Sequence, residues 1–263
     1  MNDIDFACTA CGKCCHDLRL PLTINEAIAW LQRSGRVELL CDAIPWPVEP
    51  EPDNAFAAYK RARSTPALSG ALPVRVTTVL TASYAGPCPN LRADMRCGIY
   101  DERPLVCRIY PAEINPFVEL SPEGKGCPPD AWRTTPLLRG GAIVDDDTRR
   151  NIERSRAANV AEAPLRAQVC AALGVATAAV ANEGFVIHAP PPDALLAVLN
   201  GVRAARSASE ADDAGAQWML LSNRAATVDA LASTGAAAGL AASAADDARA
   251  FRYLGFFPDA AAA

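Results

Sequence analysis

The chain has 263 residues and only 2 histidines, which gives histidine-based hydrolytic triads little to draw on. It has no Gly-x-Gly-x-x-Gly between a strand and a helix and no phosphate-binding loop, so nucleotide sites built on those motifs are excluded. Gly140-Gly141 stands alone as a turn signal. A Gly-x-Ser-x-Gly elbow is also missing. Positive charge is not in excess: 25 Lys and Arg against 30 Asp and Glu leave a net charge of −5 and a pI near 5.2. That balance argues against a nucleic-acid partner, which would call for a basic face. Long hydrophobic runs are lacking too. The most apolar stretch, Ala171 to Ala181, is too short to cross about 30 Å of hydrocarbon. The run from Ala225 to Ala245 is small rather than greasy and contains Asp229. The opening MNDIDFACTACGKCC shows neither a basic region nor an apolar core of the kind that directs secretion. The expectation is a cytoplasmic protein with neither a nucleic-acid nor a membrane partner.

What is present is cysteine, and it is unevenly spread. Of 10 cysteines, four fall within eight residues: Cys8, Cys11, Cys14 and Cys15. Cys41, Cys88, Cys97, Cys107 and Cys127 follow, and Cys170 alone lies beyond residue 130. From Arg133 onward alanine dominates, with spaced leucine, valine and arginine. The expected organisation is a cysteine-rich metal-binding domain over 1–130 and an alanine-rich helical region over 131–263. The expected fold class is mainly α, with short strands and irregular loops.

Local signals fill in this outline. Thr23 and Glu26 form a capping-box pattern, and Ala27, Ile28 and Leu31 follow at helical spacing, so a helix is expected over Thr23 to Ser34. Four prolines in residues 43–53 predict an extended loop. Val74 to Thr81 is rich in β-branched residues and reads as a strand. Pro104 can open a short helix holding Leu105, Val106 and Cys107, and Pro111 would stop it. Asp145, Asp146 and Asp147 precede a helical pattern, where acidic side chains favour a helix start. Further helices are expected at Pro164–Leu173, Asp193–Arg206, Asp212–Ala232 and Asp246–Leu254. Gly184 to Ala189 reads as a strand, and the terminal PDAAAA should fray.

The chemistry lies in Cys8-Thr-Ala-Cys11-Gly-Lys-Cys14-Cys15. Two residues between cysteines let both thiolates of a turn face one metal, and Gly12 relieves the turn. The first three match the start of a ferredoxin-type run, but its fourth cysteine is missing, so further ligands must come from afar. Cys88, Cys97, Cys107 and Cys127 can supply them. Eight thiolates suit two four-coordinate sites: two zincs, two four-iron clusters, or one of each. Adjacent Cys14 and Cys15 should serve different metals or different jobs. Cys41 and Cys170 read as small buried hydrophobes. His16 reads as a neighbour of the ligands rather than one of them, and His188 as a satisfied core or surface histidine. Arg103 and Arg108 flank Cys107, where guanidinium groups can stabilise a thiolate or contact an anionic cofactor. The alternative for them is a salt bridge to Asp101 or Glu102. Tyr100 and Tyr110 read as packing residues with a polar tip.

These features resemble the Cys-x-x-Cys-x-x-Cys-Cys family of zinc- or iron-chelating cysteine-cluster domains. The shared elements are CTACGKCC, the Leu20–Thr23 segment opening a helix with Glu26, GPCPNL (Gly86 to Leu91), CGIYDERPLVCRIYP (Cys97 to Pro111) and the glycine-flanked Cys127. The resemblance covers about residues 6–130. It implies a metal-ligand role for Cys8, Cys11, Cys14, Cys15, Cys88, Cys97, Cys107 and Cys127. The family includes flagellin lysine N-methylases, so it also implies an alternative activity: protein-lysine N-methylation with S-adenosylmethionine. A third reading is a thiol redox or metal-delivery module in which Cys14 or Cys15 is a reactive thiolate. In each case the helical region could dock a protein partner or shield the site.

Overall fold

Two long segments with β-strand composition pair over nine residues and set the architecture. The computed structural model describes residues 3–205, 215–241 and 251–257. In chain order the strands and helices are β1 (Ile4–Asp5), β2 (Arg19–Leu22), α1 (Ile24–Gln32), β3 (Val37–Pro45), α2 (Ala55–Ala62), β4 (Thr65–Ser69) and β5 (Leu72–Ser83). There follow α3 (Leu105–Ile109), β6 (Pro136–Arg139), β7 (Ala142–Ile143), α4 (Asp146–Ala161), α5 (Ala163–Ala172), β8 (Thr177–Val180), β9 (Gly184–His188) and α6 (Pro192–Ala204). The last are β10 (Met219–Ser222), α7 (Ala225–Ser233), β11 (Ala238–Leu240) and β12 (Phe251–Gly255).

β3 and β5 run antiparallel from Val37 opposite Ala82 to Pro45 opposite Val74. Alternate residues of β5 (Leu72, Val74, Val76, Thr78, Leu80 and Ala82) are buried, the period-2 pattern of a sheet face turned to a core. Each member of this pair has a divided outer edge. β5 is flanked by β2 at one end and β4 at the other. β3 is flanked by β9, antiparallel, and by β8, parallel. The sheet continues from β8 through β10 to β11, all parallel, and β12 pairs with β9. The result is a nine-stranded mixed sheet, beside a three-stranded sheet ordered β1-β6-β7. Strands from both sides of residue 130 thus share one sheet. The main core joins its inward side chains to α1, α5 and α6, with Leu39, Leu80, Leu195, Leu199 and Leu220 fully buried.

The mainly α expectation is therefore overturned. Helix accounts for about 33% and strand for about 27%, so the fold is α/β. Alanine misled the reading: its helix propensity is a weak prior that tertiary context overrides. In Thr-Ala-Ala-Val of β8, Ala178 and Ala179 have no exposed surface, sealed in the sheet interior. The helix expected over Asp212–Ala232 is instead β10 followed by α7, while residues 212–214 lie outside the described residues. The helix expected over Asp246–Leu254 is β12 from Phe251, with 246–250 outside the described residues. The tail over 258–263 also lies outside them. The helices expected over Pro164–Leu173 and Asp193–Arg206 correspond to α5 and α6, with Arg206 outside the described residues, and the strand near Gly184 to β9. The proline-rich loop begins only after Pro45, because Ala43–Pro45 still pair with β5.

Helix α1 forms for the reason its sequence announces. Thr23 accepts from Glu26 N–H at 3.2 Å, and Glu26 Oε2 accepts from Thr23 N–H at 2.9 Å. Both arms of the capping box are present. Glu26 does more: its Oε1 accepts from Leu105 N–H at 2.7 Å and so also holds the first turn of α3. At the joint of α4 and α5, Glu162 accepts from Ile24 N–H at 3.0 Å and pairs with buried Arg166. Cys41 and Cys170 are buried beside Thr78, whose hydroxyl lies 3.7 and 3.4 Å from their sulfurs.

His188 is a core histidine. It is buried opposite Leu39 and against the Phe251 ring, with Nε2 donating to the Thr177 carbonyl at 2.8 Å. Burial lowers its pKa below the ordinary 6.5, although the Thr177 bond acts in the opposite sense. The folded state therefore holds this ring neutral. Below pH 6.5 the unfolded chain binds the extra proton, so stability is full above that pH and falls as pH drops further. Chemical denaturation between pH 8 and 5 should show that loss. His188→Gln should flatten the profile in this window.

Candidate metal centre

The site is built where the sheet ends. β2 leaves the cysteine run and pairs with the last residues of β5, Arg19 opposite Ser83. Extending this ladder outward sets His16 opposite Pro87, and Cys88 N–H donates to the Cys15 carbonyl at 2.7 Å. Sheet register thus joins the cysteine run to Cys88, far away in sequence. A tight loop then folds Cys97 back. Leu91 bridges Cys97, Leu91 N–H donates to the Cys88 carbonyl at 2.8 Å, and Gly98 N–H donates to the Asn90 carbonyl at 2.6 Å. Cys107 rides on α3, whose first turn is held by Glu26.

A second set of bonds brings the chain start to Cys127. β1 pairs with β6, Phe6 N–H donates to the Thr135 carbonyl at 2.7 Å, and Ala7 N–H donates to the Ala131 carbonyl at 2.8 Å. Cys8 follows at once, and Cys127 precedes the 3-10 turn over Pro129–Trp132. Within the run, Cys15 N–H closes a turn on the Gly12 carbonyl at 2.9 Å. Gly12 has φ +70°, and a Cβ there would lie 2.8 Å from the Met95 carbonyl oxygen. Both the backbone angle and the close approach require glycine.

All eight cysteines named from the sequence line one open cavity of about 1280 Å³, together with His16, Arg103 and Arg108. Among the described residues, no three His, Cys, Asp or Glu side chains are already gathered as a metal-binding group. The thiols act on one another across the cavity, and Cys14 acts on both Cys127 and Cys107. Cys15 is influenced by Cys88, Cys107 and Cys97. Cys127 is influenced by Cys14, Cys11 and Cys8. Adjacent Cys14 and Cys15 act on each other in opposite senses: Cys15 raises the Cys14 pKa, and Cys14 lowers that of Cys15. Burial, aided by Cys88 and Cys14, pushes Cys107 up to about 12. Crowded thiols in a cavity resist ionising together, and a bound divalent cation reverses that balance. The donor set suits such a cation: soft sulfur favours zinc or iron–sulfur centres over magnesium or calcium.

Arg103 and Arg108 do not pair with Asp101 or Glu102 carboxylates; Glu102 pairs with Arg33. Arg103 lies over the Tyr100 ring and donates to the Tyr100 carbonyl at 2.9 Å. Arg108 donates to the carbonyls of Arg103, at 2.8 Å, and Asp101. Both therefore brace the 100–103 loop, and the Arg103 charge favours ionised Cys14 and Cys107. His16 Nδ1 sits 3.2 Å from the Gly12 carbonyl. Two features escaped the sequence reading. Tyr84 and Trp30 line the cavity, as do Asp145, Thr148, Asn151 and Arg154 from the start of α4. The helix start was legible in the three aspartates, but nothing in its pattern pointed it at the cysteines.

This arrangement defines a class first: a thiol-lined site built from loops at the edge of an α/β sheet. The family match is equally direct. Residues 7–128 match the family described as "CxxCxxCC: Putative zinc- or iron-chelating domain". No curated protein and no solved structure shows significant similarity to the chain. Among the described residues, no helix is long and apolar enough to cross a membrane.

Proposed function

We propose that the protein holds two thiolate-ligated metal centres, zinc or iron–sulfur, side by side in the cysteine cavity. Cys15, Cys88, Cys97 and Cys107 hold one, and Cys8, Cys11, Cys14 and Cys127 hold the other. The observation that carries this is the gathering of all eight cysteines around one cavity, where backbone bonds join Cys88 to Cys15 and Ala7 to Ala131, close to Cys127. Four sulfurs are what a closed zinc site or a four-iron cluster takes. The division also gives Cys14 and Cys15 different metals, as adjacent side chains require. Arg103 offsets the negative charge of both groups. Bound zinc would contribute folding energy, and a cluster would carry single electrons. A cytoplasmic setting, where thiols stay reduced, suits either centre. The S-adenosylmethionine-dependent methylase alternative gains no support from the family match, whose description names chelation alone.

The test is metal and acid-labile sulfide analysis, with an absorption spectrum, on protein purified without air. Iron with sulfide and a brown colour identifies clusters, and zinc in a colourless protein identifies zinc sites. Protein that carries neither metal, and takes up neither when supplied, contradicts the proposal.

A further inference from the structure

Two tyrosines line the cysteine cavity, one beside Cys127 and one near Cys88. Tyr110 Oη lies 3.7 Å from Cys127 Sγ and accepts from Gly126 N–H at 3.1 Å. Tyr84 lines the same cavity as Cys88, and burial, then the neighbouring Cys88, raises the pKa of its hydroxyl. The two tyrosines reach the cavity from different elements, Tyr84 just after β5 and Tyr110 at the end of α3. Both rings are held independently of the sulfurs. Tyr84 stacks on Trp30 with centroids 6.3 Å apart and planes 16° apart, and the Lys125 ammonium lies 5.6 Å from the Tyr110 ring centroid.

We infer that Tyr84 and Tyr110 are positioning residues of the two centres, each donating its hydroxyl proton to one ligand sulfur: Tyr84 to Cys88 and Tyr110 to Cys127. This rests on the two-centre reading above. A phenol offers one O–H and two lone pairs. With Cys127 as a thiol, the S–H donates to Tyr110 Oη. When metal enters, the thiol proton leaves to solvent and the sulfur becomes an acceptor alone. The O–H then turns to the sulfur, while Gly126 N–H still occupies one oxygen lone pair and fixes its place. Hydrogen bonds to ligand sulfurs orient them, hold metal more firmly and tune cluster potentials.

The experiment uses the full chain, stripped of metal and reloaded with cobalt(II), as wild type, Tyr84→Phe and Tyr110→Phe. Phenylalanine keeps the ring packing and removes only the O–H. Readouts are metal per chain, sulfur-to-cobalt charge-transfer absorption, and the kinetics of cobalt release to excess chelator. The expected result is two metals per chain in all three proteins and two release phases. One phase should be about 10-fold faster in Tyr84→Phe and the other about 10-fold faster in Tyr110→Phe, each with a shift in only part of the absorption. Unchanged phases and spectra in both variants, with two metals bound, would overturn the assignment. So would acceleration of both phases by either variant together with lost thermal stability, the mark of a merely structural role. Wild type that binds no cobalt would bring down the two-centre reading itself, an outcome distinct from both.

Discussion

Stripping the metal from the loaded protein is expected to release the cysteine loops while the nine-stranded sheet stays folded. The reason is where regular structure and apolar burial lie. Between the end of β5 and the start of β6, the regular structure is two 3-10 turns and the five-residue helix α3. A helix that short has no independent stability. Its buried residues belong to a small cluster of Leu105, Ile109, Ala112 and Ile152, and only partly buried Val106 and Cys107 reach the main core. The sheet, by contrast, owns the main core and needs no ligand to bury it. A structural zinc contributes on the order of 10–16 kcal/mol of apparent binding energy at neutral pH, and here that energy would fall on the loops. Hydrogen exchange should report it. Cys88, Leu91 and Gly98 N–H, all bonded within the loops, should exchange at least about 10³-fold faster after chelation, equivalent to about 4 kcal/mol of lost protection. The amides of β3 and β5 should stay protected. Faster exchange throughout the chain would mean that the metal holds the whole fold.

Glu162→Ala is expected to be the most damaging single substitution outside the cysteine loops, at about 3–5 kcal/mol. Arg166 and Glu162 have side chains only 4% and 9% exposed, with Nη2 to Oε2 at 3.1 Å. The same oxygen takes Ile24 N–H. Alanine would strand a buried guanidinium and leave one of α1's first N–H groups unpaired. The remaining partners of Arg166, the Thr78 carbonyl at 3.4 Å and Asn159 Oδ1 at 3.2 Å, carry no formal charge to replace it. The melting temperature should fall by roughly 10 °C for a chain of this size. The double variant Glu162→Ala with Arg166→Leu should recover much of the loss, because no charge is then left unpaired. A double variant no more stable than Glu162→Ala would show that the damage comes from the lost cap on α1.

The residues that could be read without a structure are those whose signal is local. Thr23 and Glu26 announce a helix start because both halves of a capping box lie within four residues. The β-branched run at Val74 announces a strand, and the Cys-x-x-Cys spacing announces soft-metal chemistry. All eight cysteines singled out line one cavity. The errors arose where long-range contact decides. Ala178 and Ala179 look helical until β3 and β10 close on either side of β8. Phe251–Gly255 looks like the end of a helix until β9 supplies its partner. The meeting of the distant cysteines was not legible either, because it depends on β2 pairing with β5 and β1 pairing with β6. Tyr84 carries no motif and becomes visible only when the end of β5 meets the cysteine run.

The most direct test of two centres in one cavity is a metal count by native mass spectrometry on Cys107→Ser, Cys127→Ser and the double variant, each loaded under the same conditions as wild type. Two independent four-cysteine sites predict two centres in wild type, one in each single variant and none in the double variant. A single centre in wild type, or loss of all metal from either single variant, would contradict the account.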